Sequence, residues 1–558
     1  MASTGNCIAQ PIVLDPSSTQ RNIEQSLESL QREVAPIAHE DIATGSYEQT
    51  DTDIDKLVGI ELNIPEHLSI LSSQIDAYWM NFLEKPVSGF QITDFKAWLW
   101  EQLQRQGYLG YISIQTIDHT DGSSLLVAVQ APLIGQTTVL TADAEDYELY
   151  ARIVAQRFSQ AYPIGAAVDV QGIEAQLNAI AYDLPFNLQA SLRQVGIDTI
   201  DVIINLQRID QKLGNVINAV VQFNNYGLKP YGREQMLGVV RLAGPRPLSE
   251  FTGVALVSKG VNYVRGDYSQ PIEGWATRWN LYGSTMRSKA NTDSDFAKFS
   301  QRGKSNVIGG GLTTLLNTSR NGSWNSVLEV SHRLTEGNLS IQNVDGRTPT
   351  SDRRDNQLRV GLVSDHKMSF VDRFTTETTL TFGHLSLKSD DISYNQPDAN
   401  KYLKGRYQRL EHRGSLFKAL PADDRWTFIT RWQAQVASQN MDSYNKISLG
   451  GVNGIRAFDS DEGLGDQGVL VSFDLIRKLN TDIHAGIFYD VGRVQANRRP
   501  TSNSYSLQGT GVSLGGNVHT WFDWTLSVAK SHGSRPPEGN INSKIGDWRA
   551  FFAANWRY

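Results

Sequence analysis

The chain has 558 residues, of which 20% are charged and 9% aromatic, and its formal net charge is −7 at pH 7. It has no stretch near the roughly 18 consecutive apolar residues that a transmembrane helix needs, which excludes a helical membrane protein. A single cysteine, Cys7, excludes a disulfide framework and a cysteine-based metal site.

The charge is distributed unevenly along the chain. Residues 1–210 contain 10 Lys and Arg against 28 Asp and Glu, a net charge of −18, whereas the remainder contains 42 against 31, a net charge of +11. This asymmetry predicts two modules in different surroundings. The basic part carries no recognised nucleic-acid motif, so we expect no nucleic-acid partner. A basic barrel surrounded by phosphorylated lipid accounts for the charge at least as well.

An amphipathic helix is predicted over residues 20–34, where four apolar residues share one narrow stripe: Ile23, Leu27, Leu30 and Val34. It is either a helix docked on a domain surface or a detachable helix in a wet environment. Residues 1–35 form this amino-terminal segment, and an acidic linker is predicted at 36–65. The first ten residues lack the pattern of a signal peptide, so an exported protein would be a mature form with an added methionine.

Two small α/β modules are predicted at residues 66–132 and 133–210, and each is too small to be an enzyme. In the first, Thr93 is the expected cap of a helix that ends at Gly107, and two strands follow. The elements predicted for the second module are a strand at 135–140, helices near 147–158 and 173–184, and strands at 191–195 and 199–206.

From residue 211 to the carboxyl terminus the sequence alternates between apolar and polar residues. In residues 425–436 one face is mostly apolar and the opposite face is mostly polar, and the same holds for the strand that ends at Tyr558. Strands of about ten residues span a bilayer when tilted, and polar inner faces suit a wet lumen. At roughly 20 to 22 residues per strand and loop, residues 211–558 predict about sixteen antiparallel strands, in preference to a soluble β-sandwich.

Motifs for catalysis and metal binding are weak. The segment Gly511-Val-Ser513-Leu-Gly515 matches the G-x-S-x-G nucleophile elbow, but another alternating strand follows it instead of the helix that the motif needs. The histidines lack the spacing of zinc ligands, and there is no phosphate-binding loop. We therefore predict no enzymatic activity, no cofactor and no metal.

A long loop rich in glycine and aspartate is predicted at residues 439–470, and long loops in compact β-proteins tend to be functional or disordered. It holds Arg456 between the apolar residues Ile455 and Phe458, which would be unusual in a merely solvated loop. The phase of a later strand predicts that four of its residues face the lumen: His484, Phe488, Asp490 and Gly492.

A carboxylate that faces a barrel interior needs a partner or water. Arg456, carried into the lumen by the loop, could pair with Asp490 through two hydrogen bonds. The alternative is that Asp490 is solvated in a wide pore and that Arg456 lies in an exposed loop.

These residues resemble the two-partner secretion transporters, the TpsB family, which includes the filamentous-haemagglutinin and haemolysin exporters. The family's V-R-G-[FY] motif corresponds to Ile455-Arg456-Ala457-Phe458, with Ala457 in place of glycine, and its F-x-D-x-G motif is present as Phe488-Tyr-Asp490-Val-Gly492. The similarity extends to Gly465-Asp466, to Tyr268-Ser-Gln-Pro271-Ile-Glu-Gly274-Trp275 and to Asn225-Tyr-Gly227.

The two amino-terminal modules resemble polypeptide-transport-associated (POTRA) domains. Leu103-Gln-Arg105-Gln-Gly107-Tyr108 is similar to the helix end of the first domain, and Leu184-Pro185 to the helix break of the second. Two such domains favour the secretion branch over barrel-assembly proteins.

The resemblance implies a membrane all-β barrel of about sixteen antiparallel strands, two periplasmic POTRA domains and a plug helix at residues 20–34. It implies a monomer in the lipopolysaccharide-containing outer membrane of a Gram-negative bacterium. Such a protein would export one large unfolded partner, namely an adhesin, a cytolysin or a haem-acquisition protein.

The resemblance also implies roles for particular residues. Arg456 and Asp490 would form a latch that places the loop during transport, supported by Ile455, Phe458, Phe488 and Gly492. The partner would bind the POTRA domains by adding a strand to the edge strand at 110–117, which contains Tyr111, Ser113 and Gln115. An outer-membrane insertase is the alternative function, and a passive porin or uptake channel would leave both POTRA modules unexplained.

Overall fold

The computed structural model divides the chain into two compact units, each described here by itself. One contains two small α/β modules, and the other contains a barrel with helical residues near the amino terminus. The described residues are 16, 19–21, 23–24, 53–64, 68–105, 111–130, 132–141, 148–181, 184, 186–195, 199–208, 217–245, 249–272, 275–293, 298–319, 322–341, 346–368, 370–420, 425–499, 504–518, 521–533 and 543–558.

The first module packs two helices on a three-stranded sheet. Its strand order is β1-β3-β2, with β1 parallel and β2 antiparallel to β3. Trp79, Phe95 and Leu125 are fully buried between the helices and the sheet. The elements in chain order are β1 (Leu57–Asn63), α1 (Ile70–Trp79), α2 (Gly89–Arg105), β2 (Tyr111–His119) and β3 (Gly122–Gln130).

The second module repeats this arrangement, with strand order β4-β6-β5 and β4 parallel to β6. Val154 and Phe158 on the first helix and Ile204 on the central strand are buried. The elements are β4 (Leu133–Thr141), α3 (Glu148–Ala161), α4 (Val170–Ala181), β5 (Phe186–Gln194) and β6 (Thr199–Arg208).

Two predictions for the first module are wrong in part. Residues 57–63 were expected in the linker at 36–65, but they form β1 because Leu57 is fully buried and the strand pairs with the sequence-distant β3. Helix α2 begins at Gly89, before Thr93, whose hydroxyl donates a 3.0 Å hydrogen bond to the Gly89 carbonyl. Ser88 and Gln91 exchange hydrogen bonds at 2.9 and 3.3 Å, which is a capping box.

The remaining strands close into a barrel of sixteen antiparallel strands, which confirms the predicted fold class. Their bounds are β7 (Ile217–Asn224), β8 (Gln235–Ala243), β9 (Glu250–Ser258), β10 (Val261–Ile272), β11 (Thr277–Asp293), β12 (Lys298–Ser319), β13 (Gly322–Ile341), β14 (Thr348–Met368), β15 (Val371–Leu387), β16 (Gly405–Leu420), β17 (Trp426–Ala437), β20 (Gln467–Lys478), β21 (Ile483–Gln495), β22 (Ser504–Asn517), β23 (Phe522–His532) and β24 (Trp548–Arg557). A short helix, α5 (Pro397–Tyr402), connects β15 to β16, and the hairpin of β18 (Ile447–Ser448) and β19 (Leu464–Gly465) lies within the loop after β17.

Side chains alternate between the two faces of the barrel wall. On β20 and β21, Val469 and Ile487 are exposed on the outside, whereas Leu470, Phe488 and Asp490 are buried inside. An outer apolar band around a polar interior is what a membrane barrel presents to lipid. Among the described residues, no helix is long and apolar enough to cross a membrane.

The burial of Leu57 predicts that β1 is essential to the first module. Replacing Leu57 with alanine should lower the module's free energy of unfolding by about 2–5 kcal/mol, because it leaves a cavity in the core. The measurement is the urea dependence of proteolysis within residues 53–130 of the full chain. Glu61→Ala is the matched control, since Glu61 is exposed on the same strand, and equal effects of the two variants would contradict the assignment.

Candidate functional site in the barrel lumen

The loop between β17 and β20 folds back into the barrel. Its tip is a compact turn in which the Ile455 amide donates to the Leu449 carbonyl at 2.6 Å and the Gly451 amide donates to the Phe458 carbonyl at 3.1 Å. One apolar cluster joins the loop to the wall, and its members are Ile447, Leu449, Ile455, Ala457, Phe458, Leu470, Phe488, Val494, Tyr505, Leu507 and Ala529. Burial of this cluster seats the tip against β20–β23.

Arg456 lies at the centre of this contact and is almost fully buried. Its Nη2 and Nε atoms donate to the two carboxylate oxygens of Asp490 at 2.7 and 3.0 Å, and its backbone amide donates to Asp490 at 3.0 Å. Its Nη1 atom donates to Asp474 at 2.7 Å. The guanidinium carbon lies 3.5 Å from the centre of the Phe488 ring, which favours a cation–π contact.

Glycines in the wall make room for the tip. A Cβ atom on Gly509 would lie 2.9 Å from the Cβ atom of Ala457, and one on Gly492 would lie 2.7 Å from Leu449. Ala457 has no positive φ angle; among the described non-glycine residues only Glu84 does. The glycine of the family motif is therefore not required for the backbone conformation at position 457.

The structure brings the six predicted loop and wall residues into one cluster: Ile455, Arg456, Phe458, Phe488, Asp490 and Gly492. The alternative of a solvated Asp490 is excluded, because its side chain is fully buried against Arg456. Asp474, which follows the same inward phase on β20, was missed in the sequence. Ser513 lies within β22 and is followed by β23, so the nucleophile elbow is missing there.

A second set of contacts ties the tip to the region where the barrel closes. Asp459 accepts two hydrogen bonds from Arg233 at 2.8 and 3.1 Å and pairs with Arg549 on β24. Glu462 accepts from the hydroxyl and amide of Ser543 at 2.7 Å. These partners come from loops and a strand end with no shared periodicity, so the sequence offered no signal for them.

The first arm of the loop is anchored on the opposite wall. Arg333 on β13 donates to Asp442 of the loop at 2.5 Å and to Asp355 on β14 at 3.0 Å. Asn445 donates to Asp355 at 2.9 Å and to the hydroxyl of Tyr407 at 3.1 Å. The sequence motifs do not predict this cluster, although strand phase is sufficient to place Arg333 and Asp355 in the lumen.

The amino-terminal helix occupies part of the remaining lumen. Pro16 and Thr19 are helical as well, so the helix extends beyond the predicted start at Gln20. Ile23 packs in a buried cluster with wall residues of β8–β11. The other predicted stripe residues, Leu27, Leu30 and Val34, lie outside the described residues.

The polar side of this helix is buried as well. Gln20 donates to Ser284 of β11 at 3.2 Å, and Tyr444 of the loop donates to Glu24 at 2.5 Å. The helix therefore contacts polar groups on more than one side, as expected for a helix inside a polar lumen rather than on a domain surface. No group of His, Cys, Asp or Glu residues within the described part of the chain could hold a metal ion.

The number of hydrogen bonds from Arg456 predicts that Asp490 stabilises the seated loop more than Asp474 does. Asp490→Asn should lower the temperature at which the folded barrel unfolds in detergent by more than Asp474→Asn, because Asp490 accepts three hydrogen bonds from Arg456 and Asp474 accepts one. The measurement is the heat-induced mobility shift of the purified protein on gel electrophoresis. Equal shifts would show that Asp490 is not the main partner.

The chain has relatives of low sequence identity among known proteins. The heme/hemopexin transporter protein HuxB of Haemophilus influenzae strain 86-028NP is 24% identical over 354 residues, which are 59% of each chain. A second HuxB from this species is 22% identical over 58% of this chain and 57% of its own. The matches thus span less than two thirds of these relatives.

Two solved structures share the fold across nearly the whole chain. CdiB from Escherichia coli has a TM-score of 0.71 at 15% identity and covers 99% of this chain and 100% of its own. CdiB from Acinetobacter baumannii has a TM-score of 0.68 at 13% identity, with 98% and 100% covered. Residues 201–517, more than half of the chain, match the model of the haemolysin secretion/activation proteins ShlB/FhaC/HecB, and the chain belongs to that family.

Proposed function

We propose that the protein exports one large, unfolded partner polypeptide across the outer membrane of a Gram-negative bacterium in two-partner secretion. The observation that carries this proposal is a closed barrel whose lumen is occupied by a loop, clamped on the wall through Arg456, and by a helix. Both occupants must move before a polypeptide can pass. Membership of the secretion family supports the same function.

The contacts of the loop suit an occupant that is held in place conditionally. Arg456 binds carboxylates on two neighbouring strands, and those contacts can be exchanged for water when the lumen opens. Apolar contacts alone could not be replaced by contacts with water in this way. In this proposal Arg456 and Asp490 are a latch that positions the loop during transport, and neither residue is catalytic.

The first α/β module offers an edge for partner recognition. In the order β1-β3-β2, strand β2 lies at an edge of the sheet and pairs with β3 alone among the described strands. An unfolded partner can add a strand to such an edge through main-chain hydrogen bonds. We assign this role to β2, which contains Tyr111, Ser113 and Gln115, with both modules in the periplasm.

The name of one relative bears on the class of partner. HuxB is named a heme/hemopexin transporter, which makes a haem-acquisition protein one of three partner classes, beside an adhesin and a cytolysin. The outer apolar band would face outer-membrane lipid and lipopolysaccharide. We propose a monomer, because the barrel is closed within one chain.

An outer-membrane insertase is the second candidate function. Strand β24 pairs with β7 through five residue pairs, from Ala553 with Asn224 to Arg557 with Val220, and backbone hydrogen bonds of Asn225 with Phe552 and of Ala219 with Tyr558 extend this seam. Its other neighbour β23 pairs through nine. A short seam favours a barrel that opens toward another protein. Removal of the protein separates the two functions, since an exporter would lose one secreted species and an insertase would deplete many outer-membrane proteins.

The latch predicts a defect in transport without a defect in insertion. Arg456→Ala should reduce secretion of the partner at least about tenfold while the barrel still reaches the membrane, because the seated loop loses its buried cation and the three side-chain hydrogen bonds to Asp490 and Asp474. The measurement is secreted partner per folded barrel. Normal secretion by this variant would contradict the role.

Two further variants test whether charge alone explains the latch. Arg456→Lys keeps the charge and loses the forked contact, so its secretion should lie between wild type and Arg456→Ala. The exchange Arg456→Asp with Asp490→Arg should restore little, since Asp474 would then face an aspartate. A full rescue would show that opposite charge at any orientation suffices.

The proposed edge predicts a binding defect specific to one side of the sheet. Gln115→Pro removes a backbone N–H from β2 and should weaken binding of the partner's amino-terminal region to the full chain. Glu61→Pro on β1, the opposite edge of the same sheet, is the matched control. Equal loss in both variants in a co-purification assay would show that β2 is not the specific edge.

A further inference from the structure

We propose that residues 442–446, here called the loop base, form the seat of the amino-terminal helix, and that Arg333 and Asp355 in the wall hold this seat in place. Retention of the helix in the pore is then controlled at the loop base and not by the Arg456 latch. The inference concerns what holds the helix, so its test measures the position of the helix and is independent of what passes through the barrel.

The helix contacts the loop base through the two charged side chains of its described residues, Arg21 and Glu24. Arg21 donates from Nη1 to the carbonyl oxygens of Ser443 at 3.0 Å and Lys446 at 2.5 Å. Glu24 accepts a 2.5 Å hydrogen bond from the Tyr444 hydroxyl. These contacts use main-chain acceptors and one tyrosine within four consecutive residues, so the helix depends on the shape of this short segment.

The loop base owes its shape to the wall. Asp442, its first residue, accepts a hydrogen bond from Arg333, and Asn445 donates one to Asp355, which is the ion-pair partner of Arg333. The side chains of Arg333, Asp355 and Asp442 are at most 4% exposed. A buried cation that loses one carboxylate is poorly compensated, so removal of Asp442 should release the segment from the wall.

One residue joins the wall anchor directly to the helix. The guanidinium carbon of Arg333 lies 4.3 Å from the centre of the Tyr444 ring, and the hydroxyl of that ring binds Glu24. A single line of contacts therefore runs from β13 through Tyr444 to the helix. The tip of the loop, by contrast, is held on β20 and β21 by Asp474 and Asp490.

The opposite side of the helix rests on another part of the wall. Ile23 packs among apolar residues of β8–β11, and Gln20 and Glu24 contact Ser284 and Tyr263 at 3.2 and 3.4 Å. The helix is thus wedged between β8–β11 and the loop base. Displacement of the loop base removes one of these two contact surfaces, and the helix then contacts only β8–β11.

The seat is accessible to water. A polar cavity of about 110 Å³ lies beside it, and its lining includes Arg21, Glu24, Tyr444 and Lys446. Water can therefore replace the contacts between helix and loop base when the helix leaves. The charge of Asp461, five residues beyond Arg456, also attracts Arg21, which makes Asp461 the necessary control.

The test measures how often the helix leaves the lumen. Thr19→Cys is the reporter, in the full chain with Cys7→Ser, because Thr19 is 4% exposed and its hydroxyl makes no hydrogen bond with the described residues. A polyethylene-glycol maleimide reacts with this thiol when the helix is out. Asp442→Ala should accelerate labelling about tenfold and Tyr444→Phe severalfold, whereas Arg456→Ala and Asp461→Asn should change it less than about twofold.

Each outcome decides for or against the seat. Unchanged labelling in both Asp442→Ala and Tyr444→Phe would overturn it, as would acceleration by Arg456→Ala or Asp461→Asn equal to that of Asp442→Ala. The heat-induced mobility shift shows which variants are folded. If Asp442→Ala does not fold, Tyr444→Phe alone decides, because it keeps the ring on Arg333 and removes only the hydroxyl that binds Glu24.

Discussion

The position of the loop tip in the lumen depends on one buried cation. A guanidinium that leaves water must find several acceptors in fixed positions, and Arg456 finds them in Asp490 and Asp474. This requirement fixes the phase of β20 and β21, since both carboxylates must point inward. It also brings the loop backbone close to the wall, and the wall has glycines at 492 and 509 where the loop packs.

The loop works as a strut across the barrel. Its base is held on β13–β16 by buried charges around Arg333, and its tip is held on β20–β22 by Arg456 and an apolar cluster. The helix rests on the base. A barrel of sixteen strands encloses more space than its own inward side chains fill, and here the chain fills that space with its own segments.

The sequence predicted those parts of the structure that follow a local period. Alternation gave the sixteen strands and put Asp490 in the lumen, and Arg456 was the cation in the one long loop that carried the family motif. Strand β1 was not predicted, because it pairs with β3, which is distant in sequence. The contacts of Asp459 with Arg233 and Arg549 could not be predicted from the sequence either, since they join segments that meet only when the barrel closes.

The contact between Ala457 and Gly509 limits how the sequence can vary at these two positions among members of the family. The methyl group of Ala457 occupies space that a side chain at 509 would need, so this contact accommodates one methyl group. A relative with glycine in the loop would lose this contact, and the Cγ2 atom of Ile455, 3.1 Å from a Cβ atom at 509, would be the nearest neighbour. The two positions should therefore vary together across the family, although 52 residues separate them along the chain.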